Sequence, residues 1–332
     1  MHPWRGALLW LGVALAFAAL DLTGVTDGLL PPVPLIVALA LARALERTPR
    51  ALGWVRGLAV AGAAGSGVLA VLAWRLDVSL VDLDPPTVAA MLVAISLLTI
   101  VGLARRVRAA LLPPLGLDPD SAVHLVSAGA FVLTLGMAAI DFVRLQDQPE
   151  GLISLTPADP FVSLAGDLAL ALAAIGFMQT RGPRDALARL AVRWLTPRQV
   201  VGAIVAAALF HVGIGMLEYA EGVFLPSTHA REERFRLEFV GLPPVVGAVL
   251  VSTAVGVGEE VVFRGALQPR LGVVLSSLVF AATHVQYQLP GVAMIFLLSL
   301  ALGVLRRRTS TTFTACVHAF YDLGAFLLPG GG

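Results

Sequence analysis

Two adjacent glutamates lie near the end of an apolar stretch that runs from Val240 to Arg264. The local sequence is Gly-Val-Gly-Glu-Glu-Val-Val-Phe-Arg, with the acids at Glu259 and Glu260. On a helix, Glu260 and Arg264 share a face and can form an ion pair, whereas Glu259 points about 100° away. A charge at the centre of a bilayer costs at least ~2.5 kcal/mol, so it persists where it faces a partner or a cavity. The alternative is that these charges mark the solvated end of a span.

Two histidine-bearing apolar segments follow the glutamates. His284 comes four residues after Phe280, and His318 comes four residues before Asp322. An aspartate one helical turn from a histidine can fix the tautomer and orientation of the ring, although each histidine could instead be a buried structural residue. Together, a glutamate, two histidines and an aspartate converging in a dry cavity could activate a water molecule and stabilise an oxyanion.

The three motifs resemble those of the CPBP intramembrane protease family, which includes the Rce1-type CAAX prenyl endopeptidases and the bacterial Abi proteins. The pattern is Glu-Glu-x-x-x-Arg, then Phe-x-x-x-His, then His-x-x-x-Asn/Asp, and here the motifs begin at Glu259, Phe280 and His318. The resemblance covers about residues 240–325, roughly the last quarter of the chain. It implies an endopeptidase that acts on a membrane-associated or membrane-tethered peptide or protein.

The resemblance also implies a role for each motif residue. Glu259 would be the general base that activates the attacking water, and His284 would assist it. His318 and Asp322 would polarise the scissile carbonyl and bind the oxyanion. The supporting residues would be Glu260, Arg264 and Phe280.

One motif residue departs from the prenyl endopeptidases, which have asparagine where this chain has Asp322. Asparagine can donate a hydrogen bond to an oxyanion, and an ionised aspartate cannot. Asp322 would therefore be protonated, or it would orient His318 instead.

The three motifs do not decide whether the site uses a metal ion. Glu259, His284 and His318 could supply three zinc ligands from three helices, with water in the fourth position. The metal-free mechanism, without a cofactor, is favoured because Glu259 is needed as the base. Loss of activity on chelation, restored by zinc, would reverse this preference.

The composition predicts a polytopic membrane protein. Of 332 residues, 58% are hydrophobic and 14% are charged, and the mean hydropathy is +0.86. A soluble domain is about 45–50% apolar and about 25% charged. The net charge of +1 gives no reason to expect nucleic-acid binding. The single cysteine, Cys316, excludes an intramolecular disulfide and a cysteine metal cluster, and is interpreted as a small buried hydrophobe.

We predict an all-α transmembrane bundle of about eleven spans, because a helix needs about 20 apolar residues to cross a bilayer. Residues 1–239 would form accessory or substrate-access helices, and residues 240–328 the catalytic core. The predicted spans are 6–25, 29–45, 55–74, 86–104, 122–143, 160–178, 199–220, 240–263, 271–287, 290–305 and 311–328.

The arginines predict the orientation of these spans. If the N-terminus is cytoplasmic and every segment crosses, 18 of the 23 basic residues, all arginine, lie on the cytoplasmic side, as the positive-inside rule requires. The first apolar segment is then a span and not a signal peptide, in a bacterial inner (plasma) membrane. Residues 179–198 carry arginines and apolar residues at helical spacing and are predicted to lie along the inner membrane surface.

Three classes of function are weighed. The leading one is an intramembrane endopeptidase whose partners are the lipid bilayer and a tethered substrate, for maturation or sorting of a precursor or C-terminal anchor. The second is a non-catalytic membrane scaffold or immunity protein of the same fold. The third is a proton-coupled transporter. The clustering of polar residues in the last third of the chain argues against this class. Asp167 and His211 also lie within predicted spans, and are interpreted as residues that hydrogen-bond between helices.

Overall fold

The computed structural model describes residues 3–22, 33–46, 51–76, 85–146, 152–233 and 236–328. These residues are almost entirely helical, which confirms the predicted all-α class. Besides the elements below there is a short 3₁₀ turn at Pro113–Leu115. The helices are α1 (Pro3–Leu22), α2 (Val33–Leu45), α3 (Ala51–Arg75), α4 (Pro85–Gly102), α5 (Arg105–Leu111), α6 (Ala122–Gln146), α7 (Asp159–Ile175), α8 (Pro183–Leu190), α9 (Pro197–Phe224), α10 (Pro226–Glu232), α11 (Pro244–Glu260), a π-helix (Val261–Leu267), α12 (Gln268–Ala282), α13 (Leu289–Arg308) and α14 (Thr311–Leu327).

Two four-residue strands, β1 (Leu152–Leu155) and β2 (Arg236–Phe239), pair in parallel, with Leu152 opposite Arg236. The sequence analysis did not predict them. Val240 N extends the ladder by donating to Leu155 O at 2.8 Å. The ladder links the segments that lead into α7 and α11, the two helices that carry Asp167 and the glutamate pair.

The chain divides into two compact units. The first comprises Met1–Ala40, Pro149–Ala281 and Tyr287–Gly332, and it contains Glu259, Glu260 and His318. The second comprises Leu41–Gln148 and Ala282–Gln286. In the second unit α3 packs against α4, where the Ser66 and Ser96 hydroxyls share a hydrogen bond of 3.1 Å.

The first unit has two hydrophobic clusters. One joins α1, α2 and α7 around Trp10, whose indole N–H donates to Phe177 O at 3.1 Å. The other joins α9, α13 and α14 around Leu302 and Val317, both fully buried. The second cluster fixes the helix that carries His318, and Cys316 packs against it as a half-buried side chain.

Capping residues set the N-termini of two helices that carry this cluster. Thr196 begins α9 with a capping box in which its side chain accepts from Gln199 N and the Gln199 side chain accepts from Thr196 N, the reciprocal pairing expected at a helix N-terminus. Ser310 caps α14 by accepting from Phe313 N at 3.2 Å. Both caps satisfy backbone donors that a helix start leaves unpaired.

Among the described residues, five helical stretches are long and apolar enough to cross a membrane, or six if α4 and α5, bent by 83°, form one broken span. Two further apolar helices, Trp4–Phe17 and Val33–Leu45, are shorter. Residues 23–25 and 29–32 of the first two predicted spans lie outside the described part of the chain. The structure therefore supports an integral membrane protein without confirming the count of about eleven spans or the orientation of the N-terminus.

Two predicted spans, 240–263 and 271–287, are joined in the structure. The residues between them, including Arg264 and Arg270, continue the helix, so that Pro244–Ala282 is one apolar helical stretch. Gly272 breaks its regularity with φ 76° and ψ 178°, a conformation that glycine adopts without the strain of a Cβ. The sequence analysis ended the first of these spans just before Arg264, which is fully buried and paired, whereas the irregular residue is Gly272.

Candidate active site

The glutamate pair lies where α11 changes into the π-helix. Glu259 and Glu260 are the last two residues of α11, and Arg264 lies within the π-helical turn Val261–Leu267. A π-helical turn is a rare, wider winding found disproportionately at functional sites. The motif Glu-Glu-x-x-x-Arg therefore coincides with a local change of helix geometry that spacing alone does not reveal.

The predicted ion pair between Glu260 and Arg264 is present and completely buried. Arg264 Nε lies 3.4 Å from Glu260 Oε2, and both side chains have zero exposure. The guanidinium also donates from Nη2 to Ser299 Oγ on α13 at 2.9 Å, and it lies 5.2 Å above the Phe280 ring. A buried charge is tolerated only when it is paired and hydrogen-bonded. The ion pair and the Nη2 hydrogen bond meet part of that condition, since Nε and Nη1 have no hydrogen-bond partner among the described residues.

His318 lies among three carboxylates. Its Nδ1 is 3.5 Å from Glu260 Oε1, while its Nε2 is 3.5 Å from Asp322 Oδ2 and 3.9 Å from Glu259 Oε2. The two nitrogens of one imidazole thus face different acids. These separations are in the range of ion pairs and are longer than the direct hydrogen bonds of 2.7–3.2 Å.

The exposure of the acids differs across the imidazole ring. The side chains of Glu259 and Asp322 are each 21% exposed, whereas Glu260 is fully buried and His318 is 5% exposed. The cluster therefore has a closed side, at Glu260 and Arg264, and an accessible side, at Glu259 and Asp322. The exposed surface of the cluster therefore lies on the second side.

Aromatic rings close the buried side. Phe280 packs edge-on to His318, with ring centroids 5.8 Å apart, and edge-on to Phe263, with centroids 5.0 Å apart. The predicted supporting residue Phe280 is thus in contact with both the imidazole and the guanidinium of Arg264. Rings in these positions exclude water from the ion pair.

Two glycines before Glu259 permit the close approach of neighbouring helices. A Cβ built on Gly256 would lie 2.6 Å from Ala319 N of α14, and one built on Gly258 would lie 2.5 Å from Asp167 Oδ2 of α7. Neither distance is sterically allowed, so a side chain at Gly256 would push the α14 backbone away, and one at Gly258 would displace the Asp167 side chain. Close contact through small residues is how membrane helices pack tightly, and here it sets the distance between Glu259 and His318.

Asp167 and His211 have different surroundings in the structure. His211 Nε2 forms a hydrogen bond of 2.7 Å with the Tyr321 carbonyl, and the rings of the two residues stack at 4.5 Å. This confirms the interpretation of His211 as a residue that hydrogen-bonds between helices. Asp167 instead lies against Gly258 and within electrostatic range of Glu259, so it belongs to the surroundings of the site.

His284 is assigned to the second compact unit. It follows the end of α12 at Ala282 and belongs to the segment Ala282–Gln286 of the second unit. Its Nδ1 shares a hydrogen bond of 3.2 Å with Thr283 Oγ1. Its predicted assistance to Glu259 stays a prediction.

The sequence analysis missed two contributors. Ser299 is the one hydroxyl residue in the predicted span 290–305, which was a usable signal. Arg189 on α8 donates to Gly265 O at 2.9 Å and to Ala266 O at 3.3 Å, so it binds carbonyls of the π-helix. No local sequence pattern predicts these contacts.

No group of three or more histidine, cysteine, aspartate or glutamate side chains among the described residues is arranged to hold a metal ion. The alternative zinc ligands Glu259, His284 and His318 therefore do not fit a zinc ion as these residues stand. No step of the chemistry below is routed through a metal.

Comparison with known families agrees with the geometry. Residues 241–324 match the family model described as Rce1-like, type II CAAX prenyl endopeptidase. The matched segment runs from the start of α11 into α14 and includes Glu259, Glu260, Phe280, His318 and Asp322. The last quarter of this chain thus carries an Rce1-like domain, consistent with the CPBP family, which confirms the predicted resemblance.

No curated protein and no solved structure gave a match. The Rce1-like segment, together with the apolar helices, defines an integral membrane protein with a CAAX-protease-like domain.

Proposed function

We propose that this chain is an intramembrane endopeptidase in which Glu259 activates water to cleave a membrane-tethered peptide. One observation carries the proposal: within the Rce1-like segment, His318 faces the accessible acids Glu259 and Asp322 with one nitrogen and the buried acid Glu260 with the other. General-base catalysis needs a base and an oxyanion stabiliser on the same side of a partly water-excluded site.

In the proposed reaction, a water molecule lies between Glu259 and the scissile carbonyl. The Glu259 carboxylate takes a proton from the water as its oxygen bonds to the carbonyl carbon, and the carbonyl oxygen becomes an oxyanion. His318 acts as an imidazolium, with its Nδ1–H towards Glu260 and its Nε2–H donating to that oxyanion. The C–N bond then breaks, and the leaving amine takes the proton held by Glu259, which restores the carboxylate.

Asp322 is assigned the orienting role in this scheme. Its Oδ2 lies 3.5 Å from His318 Nε2, the distance of an ion pair, so it stabilises a proton on the imidazole without itself donating to the oxyanion. Glu260 and Arg264 hold the ring from the buried side. Their complete burial supports a positioning role and not contact with the substrate.

The finer features of topology belong to the same proposal. The chain crosses the membrane about eleven times with a cytoplasmic N-terminus, residues 240–328 form the catalytic core, and residues 1–239 provide substrate access. Single cysteines introduced at 264–270 and at 221–239, in a Cys316→Ser background, would test the orientation. Labelling of 264–270 from outside the cell would overturn it.

The substrate class is a precursor or a C-terminal anchor in a bacterial inner membrane, cleaved for maturation or sorting. The test is membrane proteomics in the native host with Glu259→Gln, and with Glu238→Gln as an exposed control of the same chemistry. We expect the same precursors to accumulate untrimmed in the Glu259 variant and not in the control, with both proteins abundant and folded.

The competing scaffold function predicts a different result, in which Glu259→Gln changes no terminus while deletion of the gene has a phenotype. His284→Ala in the same experiment decides whether His284 assists the reaction. Chelator treatment of the purified protein decides metal dependence, since activity that is lost with chelator and restored by zinc would replace the glutamate mechanism with a zinc mechanism.

A further inference from the structure

One end of the first unit is strongly basic. The residues at this end come from α8 with the segment after it, the start of α12 and the end of α13. Asp185 is the one acid in the ranges 179–198, 264–270 and 304–312. The arginines are Arg181, Arg184, Arg189, Arg193, Arg198, Arg264, Arg270, Arg306, Arg307 and Arg308, of which Arg264 is the buried partner of Glu260.

Hydrogen bonds bring these segments together. Thr311 Oγ1, at the start of α14, donates to Leu190 O at 2.5 Å and accepts from Arg306 Nε at 2.7 Å. Arg193 N donates to Thr312 Oγ1 at 2.9 Å. The segment that contains α8 is therefore docked on the ends of α13 and α14, and its charges lie beside theirs.

The pKa of Arg189 also indicates that other arginines lie close to it. Burial, followed by the like charges of Arg181, Arg270 and Arg306, lowers the pKa of Arg189 below its usual value. Each of these three side chains therefore lies within interaction range of Arg189. A basic surface with so few acids attracts anionic groups.

Apolar side chains lie between the exposed arginines. The apolar residues Ala186 and Leu190 of α8 are buried against the protein, whereas Leu187 is 50% exposed and Trp194 is 99% exposed. Arg184, Arg193 and Arg198 are also exposed. Tryptophan beside arginine is typical of the boundary between lipid headgroups and acyl chains. A soluble acidic peptide would account for the arginines but not for the exposed tryptophan.

We propose that this basic surface binds the headgroups of anionic phospholipids, with Trp194 and Leu187 inserted at the membrane interface. We call it the α8 surface, and it consists of Arg184, Leu187, Arg193, Trp194, Arg198, Arg270, Arg307 and Arg308. Each arginine close to an anionic membrane surface contributes roughly a fivefold preference. The surface adjoins the π-helix through Arg189, so lipid at this surface is next to the proposed active site.

The test uses the full chain reconstituted in vesicles of phosphatidylcholine and phosphatidylglycerol at constant proportions. In one set the phosphatidylglycerol carries brominated acyl chains, and in the other the phosphatidylcholine does. The quenching of Trp194 is the difference between the unmodified protein and Trp194→Phe. We expect brominated phosphatidylglycerol to quench Trp194 at least fivefold more effectively per lipid, and the preference to shrink as salt screens the exposed charges.

Matched variants separate specific from general charge effects. Arg184→Gln/Arg193→Gln/Arg198→Gln should bring the quenching ratio to about one. Arg56→Gln/Arg105→Gln/Arg106→Gln removes the same charge from exposed positions of the second unit and should leave the ratio high. Equal quenching by the two lipids in the unmodified protein would overturn the proposal. So would no quenching by either lipid, which would favour a soluble acidic partner. Because no cleavage is measured, the outcome is independent of the proposed function.

Discussion

His318 Nδ1 lies 3.5 Å from Glu260 Oε1, on the opposite side of the imidazole from Glu259 and Asp322. Glu260 is also 3.4 Å from Arg264 Nε, so one buried carboxylate links the guanidinium of the π-helix to the imidazole of α14. A carboxylate at Nδ1 favours a proton there and fixes the orientation of the ring. The adjacent glutamates therefore have different tasks, since Glu260 orients the histidine and Glu259 faces the accessible side.

Substitution of each glutamate should separate these tasks. Glu259→Gln should reduce cleavage at least ~10²-fold, the contribution of a general base, with little change in thermal stability because its side chain is 21% exposed. Glu260→Gln should lower the free energy of unfolding by about 3–5 kcal/mol, because Arg264 is left buried without its counter-charge. Cleavage of a reporter peptide and thermal unfolding in detergent measure the two effects. The opposite assignment would be supported if Glu259→Gln destabilised the protein more than Glu260→Gln.

A double-mutant cycle tests the buried ion pair directly. Arg264→Met should be strongly destabilising, since it leaves Glu260 without the guanidinium. The double variant Glu260→Gln/Arg264→Met should be less destabilised than the sum of the two single variants, by at least about 1 kcal/mol, because no uncompensated charge remains. The measurement is the free energy of unfolding of all four proteins. Simple additivity would mean that the contact of 3.4 Å carries no coupling.

Spacing along the chain predicted most of the site, because each motif lies on one helix. The Glu260–Arg264 pair follows from two residues four positions apart, and the contact of Asp322 with His318 follows from the same rule. Contacts between helices could not be read in this way. The approach of Glu260 to His318 depends on how closely α11 packs on α14, which Gly256 permits and no local periodicity encodes.

The sequence predicted the all-α class of the fold, but it did not predict where the helices become irregular. Composition predicted apolar helices, and the structure has them. The π-helix at Val261–Leu267 arises where Arg189, from α8, and Ser299, from α13, support the backbone and the guanidinium. Both are distant in sequence, so the local stretch Val-Val-Phe-Arg-Gly-Ala-Leu gives no sign of the change. The irregularity between the two predicted spans lies at Gly272, two residues beyond Arg270.

Ser299 should contribute measurably to stability although it is a single hydroxyl. Ser299→Ala removes the acceptor of a hydrogen bond from the buried Arg264, which should cost about 1–3 kcal/mol of the free energy of unfolding. Ser277→Ala is the matched control, because Ser277 is also fully buried but its Oγ has no hydrogen-bond partner among the described residues. We expect the control to be neutral or stabilising. Equal destabilisation by both changes would mean that cavity formation, and not the hydrogen bond, explains the effect.

Arg189 should act as a positioning residue for the π-helix. Its two nitrogens hold the carbonyls of Gly265 and Ala266, a fork that lysine cannot reproduce. Arg189→Lys should therefore lower kcat about tenfold, the effect of one charged hydrogen bond, with KM nearly unchanged. Arg184→Lys, on the exposed side of α8, is the control and should leave both constants unchanged. A rise in KM at constant kcat would place Arg189 in substrate binding instead.

Glu232 should make stability depend on pH. Its carboxylate accepts from Gly291 N at 3.1 Å, at the start of α13. Burial, followed by the charge of Glu221, raises the pKa of Glu232 from 4.5 to about 7. Because the folded state binds this proton more tightly than the unfolded state, the stabilising contribution is complete below about pH 4.5 and is lost as pH rises through about 7. Glu232→Gln keeps the acceptor oxygen and removes the ionisation.

The Glu232 variant should therefore flatten the decline in melting temperature between these two pH values and be more stable than the unmodified protein above pH 7. Thermal unfolding in detergent at a series of pH values measures this. Glu233→Gln removes a charge from the exposed neighbour and is the control. An undiminished decline in the Glu232 variant would assign the pH dependence to other groups. A smaller stability at every pH would instead mean that the ionised carboxylate supports the start of α13 through Gly291, and that burial does not penalise its charge.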